Sequence, residues 1–309
     1  MRLIAITTGD TDGIGLEITA KALCQIGPQK GFQFCIYKHL KPAFPLLKKL
    51  SRTFRVTRFG NLSEIPILPS HHDLLVLERA DPPPFWVIEA SKHCLRRTFS
   101  GLVTAPMSKT LIKSSGLNDR GHTDILKRIC GKSSVHMGFI GDHFNVVLAT
   151  DHVPLRKAPI QLTKEVLLSA ASCAKKLKEL TRSKGPIIWL GLNPHAGESG
   201  LLGNEELFLK KHLPRYVMGP VSSDTAFLDH RRQPGTTFIA SYHDQGLIPF
   251  KMAHGRGSGV HITLGLPFLR TSVDHGTAKD IFGLGVADPR PMMRAIQLTI
   301  KLCKEGYRV

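Results

Sequence analysis

Three histidines each lie a few residues beyond an apolar run: His152 after Val146–Thr150, His195 after Pro186–Leu192, and His243 after Thr237–Ala240. Runs of this kind, bounded by Pro, Gly, Asn and Asp, read as buried strands of a parallel sheet. In open α/β sheets, ligands bind in the crevice outside the carboxyl ends of the strands. Imidazoles delivered there can converge on one point, and three histidines with an open position form a catalytic zinc pattern. Asp151, Glu198 and Asp244 are close enough in sequence to accept a ring N–H and orient the rings. The competing reading is three unrelated loop histidines, because the chain holds fifteen and long-range spacing is a weaker signal than a local HExxH motif.

The stretch Ser241–Lys251 also carries Asp244, Gln245 and Lys251, and the loop Gly219–Thr225 adds Asp224. His122 and Thr123 stand directly before a helical pattern, Ile125–Ile129, where hydroxyl, imidazole and free backbone donors would hold an anion. An ordinary cap by Thr123 is the plainer alternative.

The elements that must position these groups are legible in outline. Strand Leu3–Ile6 runs through Thr7–Gly15 into an amphipathic helix, Leu16–Ile26, stopped by Gly27-Pro28. That glycine-bearing turn leaves backbone N–H groups free for an anion, although its spacing is neither a dinucleotide fingerprint nor a P-loop; a tight turn needing only glycine explains it as well. Further strands are expected at Phe32–Tyr37, Leu74–Leu77 and Gly101–Thr104. Helices are expected at Ile88–Arg97, at Lys164–Leu180 with Thr163 as cap, and from Pro291 to about Lys304. Asp81–Pro84 reads as a rigid connector, and Lys38–Pro69 says little about chemistry. His254–Gly259 reads as a flexible loop able to wrap a ligand.

With 309 residues, 42% of them hydrophobic, the chain has ample material for one large domain or two ordinary ones. No apolar stretch is long enough to span a bilayer, and the amino terminus turns polar too soon for a signal peptide. The six cysteines are scattered without a Cys-x-x-Cys pair, so neither a disulfide framework nor a cysteine zinc site is expected, and a reducing cytoplasm is the natural compartment. The 42 basic and 24 acidic residues give a net charge of +18. Because the basic residues are dispersed in pairs, without a stripe of interleaved aromatics, the surface is read as solvated and favourable to small anionic substrates. Nucleic-acid and membrane partners are not expected.

Taken together, Gly121-His122-Thr123, Asp151–Arg156, Gly191–Glu198, Ser223-Asp224-Thr225, Tyr242–Gly246 and Thr263–Thr277 resemble the 4-hydroxythreonine-4-phosphate dehydrogenase family of vitamin B6 biosynthesis. The likeness runs from Gly9 to the carboxyl terminus. It implies an α/β fold of two α/β/α domains, of the isocitrate and isopropylmalate dehydrogenase-like type and not Rossmann, with the active site in the interdomain cleft. The expected division is residues 1–118 plus 266–309 for NAD binding, and 119–265 for metal, substrate and dimerisation. The resemblance implies a homodimer whose active site is shared. His152, His195 and His243 become ligands of one divalent metal (zinc, magnesium or cobalt), with the third ligand supplied by the other subunit.

Further roles follow from the same likeness. His122, Thr123, Lys251 and Arg270 match positions that hold the phosphorylated substrate. Asp274, Gly276, Thr277 and Asp280, continuing to Ala287 and Asp288, resemble the loop that cradles the adenosine of NAD or NADP. The implied reaction oxidises 4-phosphohydroxy-L-threonine to a 3-oxo acid that decarboxylates, with Lys251, Asp244 and Asp224 as catalytic candidates. The chain departs from the family pattern in a substrate-contacting loop: His261, a candidate substrate-binding residue, stands where asparagine is usual, and the segment from Lys251 to His261 is one residue longer. The early glycine loop also differs, reading Thr8-Gly9-Asp10-Thr11-Asp12. Another phosphorylated four-carbon hydroxy acid, such as threonate or erythronate 4-phosphate, is therefore the alternative substrate. A zinc hydrolase, or a basic binding protein with a vestigial site, would be readings of a different class.

Overall fold

The computed structural model describes residues 1–41, 44–64, 70–228, 234–255 and 259–306. The chain divides into two compact units, residues 1–132 with 266–309, and residues 133–265. Among the described residues the strands are, in chain order, β1 (Arg2–Thr7), β2 (Phe32–His39), β3 (Arg55–Phe59), β4 (Asp73–Arg79), β5 (Gly101–Thr104), β6 (His136–Ile140), β7 (Phe144–Leu148), β8 (Ile187–Leu190), β9 (Val217–Val221), β10 (Thr236–Ala240), β11 (Val260–Leu264) and β12 (Arg270–Ser272).

In the first unit the strand order is β3-β4-β2-β1-β5-β12, and every neighbouring pair is parallel. The central strands are near-continuous apolar runs because helices cover both faces of a parallel sheet; Ile4, Ala5 and Ile6 are fully buried. Helices Gly15–Ile26, Pro83–Leu95 and Arg290–Lys304 pack against them. In the second unit the order is β11-β6-β7-β10-β8-β9. Here β6 runs antiparallel to both β7 and β11, while β7, β10, β8 and β9 are parallel to one another. Phe144, Phe238 and Phe250 fill its core. Each unit buries one tryptophan, Trp86 in the first and Trp189 in the second.

Several elements differ from the sequence expectation. The connector at Asp81–Pro84 is the start of a helix, Pro83–Leu95, five residues earlier than read. Proline costs nothing in a first helical turn, where its missing N–H would have no partner anyway. Within the stretch thought uninformative lie a helix, Phe44–Leu50, and β3, an edge strand whose alternate faces meet water. The helix expected from Ile125 begins at His122 with Gly121 as its cap, so Thr123 sits inside the first turn and does not cap it. The helix Lys164–Thr181 follows the expectation, with Thr163 Oγ1 accepting from the Val166 N–H at 3.4 Å. All six cysteines are free thiols. No helix among the described residues is long and apolar enough to cross a membrane.

Candidate active site

Strands β7, β10 and β8 lie side by side in parallel register, Val146 opposite Phe238 and Phe238 opposite Ile188. Their carboxyl ends therefore emerge together, and a buried polar lattice ties them. The Ser241 N–H donates to Gln245 Oε1 at 2.6 Å, and Gln245 Nε2 donates to the Gly191 carbonyl at 2.5 Å and to Ser223 Oγ at 2.8 Å. The Thr150 hydroxyl donates to the Ser241 carbonyl at 2.7 Å, and the Trp189 indole donates to Ser241 Oγ at 3.1 Å. Polar groups sealed from water cost least when every partner is present, and such a lattice fixes one arrangement of the loops.

His243 is the first residue of the helix His243–His254, a stretch with no helical periodicity to announce it. That helix sits close on the sheet because residue 246 is glycine: a Cβ there would lie 2.7 Å from Val146 Cγ1 and 2.8 Å from Ala240 Cβ. The approach brings the His243 ring to 5.1 Å from the ring of His152, which follows β7. His243 Nδ1 bonds Asp244 Oδ1 at 2.6 Å.

His195 bonds Glu198 Oε1 through Nδ1, also at 2.6 Å, and that carboxylate raises the histidine's pKa, with Asp224 adding to the effect. Its backbone is unusual. His195, Ala196, Gly197, Glu198 and Ser199 all have φ between 42° and 75°, a full left-handed turn. L-residues avoid this region, and such strain persists only where the surroundings hold it. Glu206 does so, accepting from the Asn193 N–H at 2.6 Å and from Asn193 Nδ2 at 3.0 Å. A Cβ at Gly197 would come within 2.6 Å of Glu206 Oε2.

The structure thus brings together two of the three histidines, His152 and His243. Among the described residues no group of three metal-ligating side chains gathers within the chain. Two of the expected orienting carboxylates, Asp244 and Glu198, are in place. Asp224 is exposed, and the Ser222 hydroxyl lowers its pKa. Lys251 is exposed on the same helix as His243, eight residues further on, which is about 12 Å of helical rise. His261 is not in a loop: it lies in β11 opposite Phe139, 3% exposed, with the two rings 5.1 Å apart. Of the expected flexible loop before it, Arg256, Gly257 and Ser258 lie outside the described residues, and His254 ends the helix.

The other candidates lie in the first unit. Arg270 is buried at the start of β12, its Nη2 donating to Thr104 Oγ1 at 2.6 Å, and burial pulls its pKa down to about 9. Burial, with the Arg270 charge added, depresses the His122 pKa to about 3, and its Nε2 has no hydrogen-bond partner among the described residues. A buried cation beside an unsatisfied ring nitrogen is a fit environment for an anion.

The segment carrying Asp274, Gly276, Thr277, Asp280, Ala287 and Asp288 is moored to the Thr8–Gly15 loop and the helix after it. The Ile14 N–H donates to the Thr277 carbonyl at 3.1 Å, and Lys279 Nζ lies 2.8 Å from Asp12 and 3.1 Å from Asp10. Lys21 Nζ donates to the carbonyls of Gly285 (2.7 Å) and Ala287 (2.9 Å), while Glu17 accepts from the Ala287 N–H at 3.0 Å. Asp288 pairs with Arg290 at 2.7 Å. Gly9, at φ 67°, is required: a Cβ would meet the Pro106 carbonyl oxygen at 1.9 Å. The pairings of Asp10, Asp12, Glu17, Lys21 and Lys279 were not readable from the sequence, because the partners are more than 260 residues apart and share no motif.

Two α/β units, one of them gathering imidazoles at the carboxyl ends of parallel strands, define an α/β protein of the ligand-binding kind. The chain belongs to the family described as pyridoxal phosphate biosynthetic protein PdxA, whose profile matches residues 85–299. It is 37% identical to the 4-hydroxythreonine-4-phosphate dehydrogenase of Sulfurihydrogenibium sp., over 97% of this chain and 98% of that one. A crystal structure of a 4-hydroxythreonine-4-phosphate dehydrogenase from Burkholderia phymatum superposes with a TM-score of 0.74 at 27% identity, covering 98% of both chains. A beta-decarboxylating dehydrogenase from Thermococcus kodakarensis, 12% identical with 98% of this chain and 84% of that one covered, shares the fold alone at a TM-score of 0.51. The fold class is the expected α/β one, shared with the solved 4-hydroxythreonine-4-phosphate dehydrogenases.

Proposed function

We propose that this chain is a metal- and NAD-dependent dehydrogenase acting on 4-phosphohydroxy-L-threonine in pyridoxal phosphate biosynthesis. The observation that carries the reading is the His152–His243 ring pair at 5.1 Å, with Asp244 on Nδ1, in a chain of this family. With Nδ1–H donating to the carboxylate, the neutral ring keeps its lone pair on Nε2, as a metal ligand requires. His152, His195 and His243 would hold one divalent ion, zinc, magnesium or cobalt, in a homodimer whose subunits share the site. A divalent ion there supplies Lewis acidity, lowering the pKa of the substrate hydroxyl.

The chain's own residues do the rest. His122, Thr123 and the buried Arg270 suit the phosphate, with Lys251 as a further cationic partner. Asp274, Gly276, Thr277, Asp280, Ala287 and Asp288 form the cradle proposed for the adenosine of NAD or NADP. NAD bound in that cradle would supply the hydride acceptor, and Asp244 and Asp224 are the candidates to take the proton from the substrate hydroxyl. The resulting 3-oxo acid loses carbon dioxide. The electron pair of the broken C–C bond passes into the ketone, and Lys251 stabilises the enolate that then takes up a proton to give 3-amino-2-oxopropyl phosphate.

Purified protein with zinc, NAD and 4-phosphohydroxythreonine should develop the NADH absorbance band, and a chelator should abolish it. Phosphate-ester hydrolysis without NADH would favour a zinc hydrolase. The replacement of the usual asparagine by His261 favours a second reading within the class, oxidation of threonate or erythronate 4-phosphate; higher kcat/KM on either would establish it.

A further inference from the structure

Arg270 and Thr104 meet because of strand register. β1, β5 and β12 are adjacent and parallel, and their last residues are aligned, Thr7 opposite Thr104 and Thr104 opposite Ser272. Successive strand side chains alternate between the two faces of a sheet. Thr271 turns to one face, its hydroxyl donating to the Ala295 carbonyl of the helix Arg290–Lys304 at 3.0 Å. Arg270 and Ser272 therefore leave by the other face, together with Leu102 and Thr104, the residues opposite them. There Arg270 Nη2 donates to Thr104 Oγ1 at 2.6 Å, with both side chains buried. His122 is near enough for the Arg270 charge to lower its pKa, and its buried Nε2 has no hydrogen-bond partner among the described residues. An anion arriving at Arg270 would meet that ring as well.

Thr104 suits the task of aiming a guanidinium. Its branched side chain has few χ1 choices, and its place at the end of a central strand fixes the backbone that carries it. A guanidinium is a planar fork, so one N–H held at a settled oxygen restricts where the other donors point. A long cationic side chain that must be ordered as its ligand arrives weakens binding, and ordering it beforehand restores the affinity. We propose that Thr104 is a positioning residue for anion binding, its hydroxyl holding the Arg270 guanidinium in the orientation that receives the substrate phosphate. The inference rests on the reading of Arg270 as a phosphate partner, and it assigns Thr104 a part played only through Arg270.

The test is calorimetric titration of inorganic phosphate into the full-length protein, without metal or NAD. Arg270→Met should lose most of the phosphate affinity, which checks the phosphate reading by itself. Thr104→Val keeps the side-chain shape and removes the acceptor, and should weaken phosphate binding by about fivefold or more. Thr104→Ser keeps the hydroxyl and should stay within about twofold of the unaltered protein. In an Arg270→Lys background, adding Thr104→Val should cost nothing further, because the fork that Thr104 aims is gone. Should Thr104→Val fail to fold, Thr104→Cys, with a weak sulfur acceptor, should lose affinity in the same direction. A hydroxyl that merely satisfies a buried N–H would lower the urea midpoint of these variants and leave phosphate affinity unchanged, and that result would overturn the proposal. Equal losses from Thr104→Val with and without Arg270→Lys would overturn it too. Unchanged affinity in Arg270→Met would instead remove the phosphate reading itself, and the proposal with it.

Discussion

Hydrogen bonds of 2.6 Å from Asp244 and Glu198 orient the rings of His243 and His195. Loss of a carboxylate that orients a metal-binding histidine typically costs about 10–100-fold in metal affinity. Asp244→Ala should therefore weaken zinc binding by about that factor in a chelator competition. His243→Ala should remove turnover while leaving stability within about 1 kcal/mol, because the ring is partly exposed and outside the core. Turnover retained in His243→Ala would contradict the assignment.

His254 has a purely structural part in the same helix. Its Nδ1–H donates to the Phe250 carbonyl at 2.8 Å, and Nε2 accepts the His143 N–H at 3.0 Å. Protonating Nε2 would set two donors against each other. Burial, with the His143 charge added and Asp142 opposing, lowers its pKa. A depressed histidine leaves the unfolded chain binding more protons below about pH 6.5, so stability is lost as pH falls from there. The urea midpoint should drop between pH 7.5 and pH 5.5, with the depressed His122 and His93 contributing alongside His254, and His254→Gln should reduce the slope without removing it.

At the scale of elements, Gly246 decides how near the helix His243–His254 comes to β7 and β10. Gly246→Val would drive methyls into Val146 and Ala240, and overpacking of this kind costs about 1–3 kcal/mol. Equilibrium unfolding should show that loss, and zinc affinity should fall with it as the His152 and His243 rings separate. The strands bearing these histidines were legible because buried parallel strands are apolar throughout and punctuated at their ends. The pairing of His152 with His243 was not, because it depends on β7 and β10 being neighbours, which no local pattern encodes. Gln245 lies within the Tyr242–Gly246 motif, but its part in bonding Gly191 and Ser223 depends on β8 lying beside β10. β3 escaped notice for the opposite reason: an edge strand half in water, Arg-Val-Thr-Arg-Phe, carries little apolar signal.

At the scale of the whole molecule, the family was readable from long motifs such as Thr263–Thr277, and so was the α/β fold that follows from it. The charge pairs that moor the Asp274–Asp288 segment were not readable, since Lys279 and Asp12 are joined only by the fold. The two tryptophans fall one to each unit, Trp86 in residues 1–132 and Trp189 in 133–265, both fully enclosed. Each half of the polypeptide consequently carries a private fluorophore. A chain with Trp86→Phe emits from one half, a chain with Trp189→Phe from the other, and their melting curves would coincide only if the halves come apart as a single cooperative body.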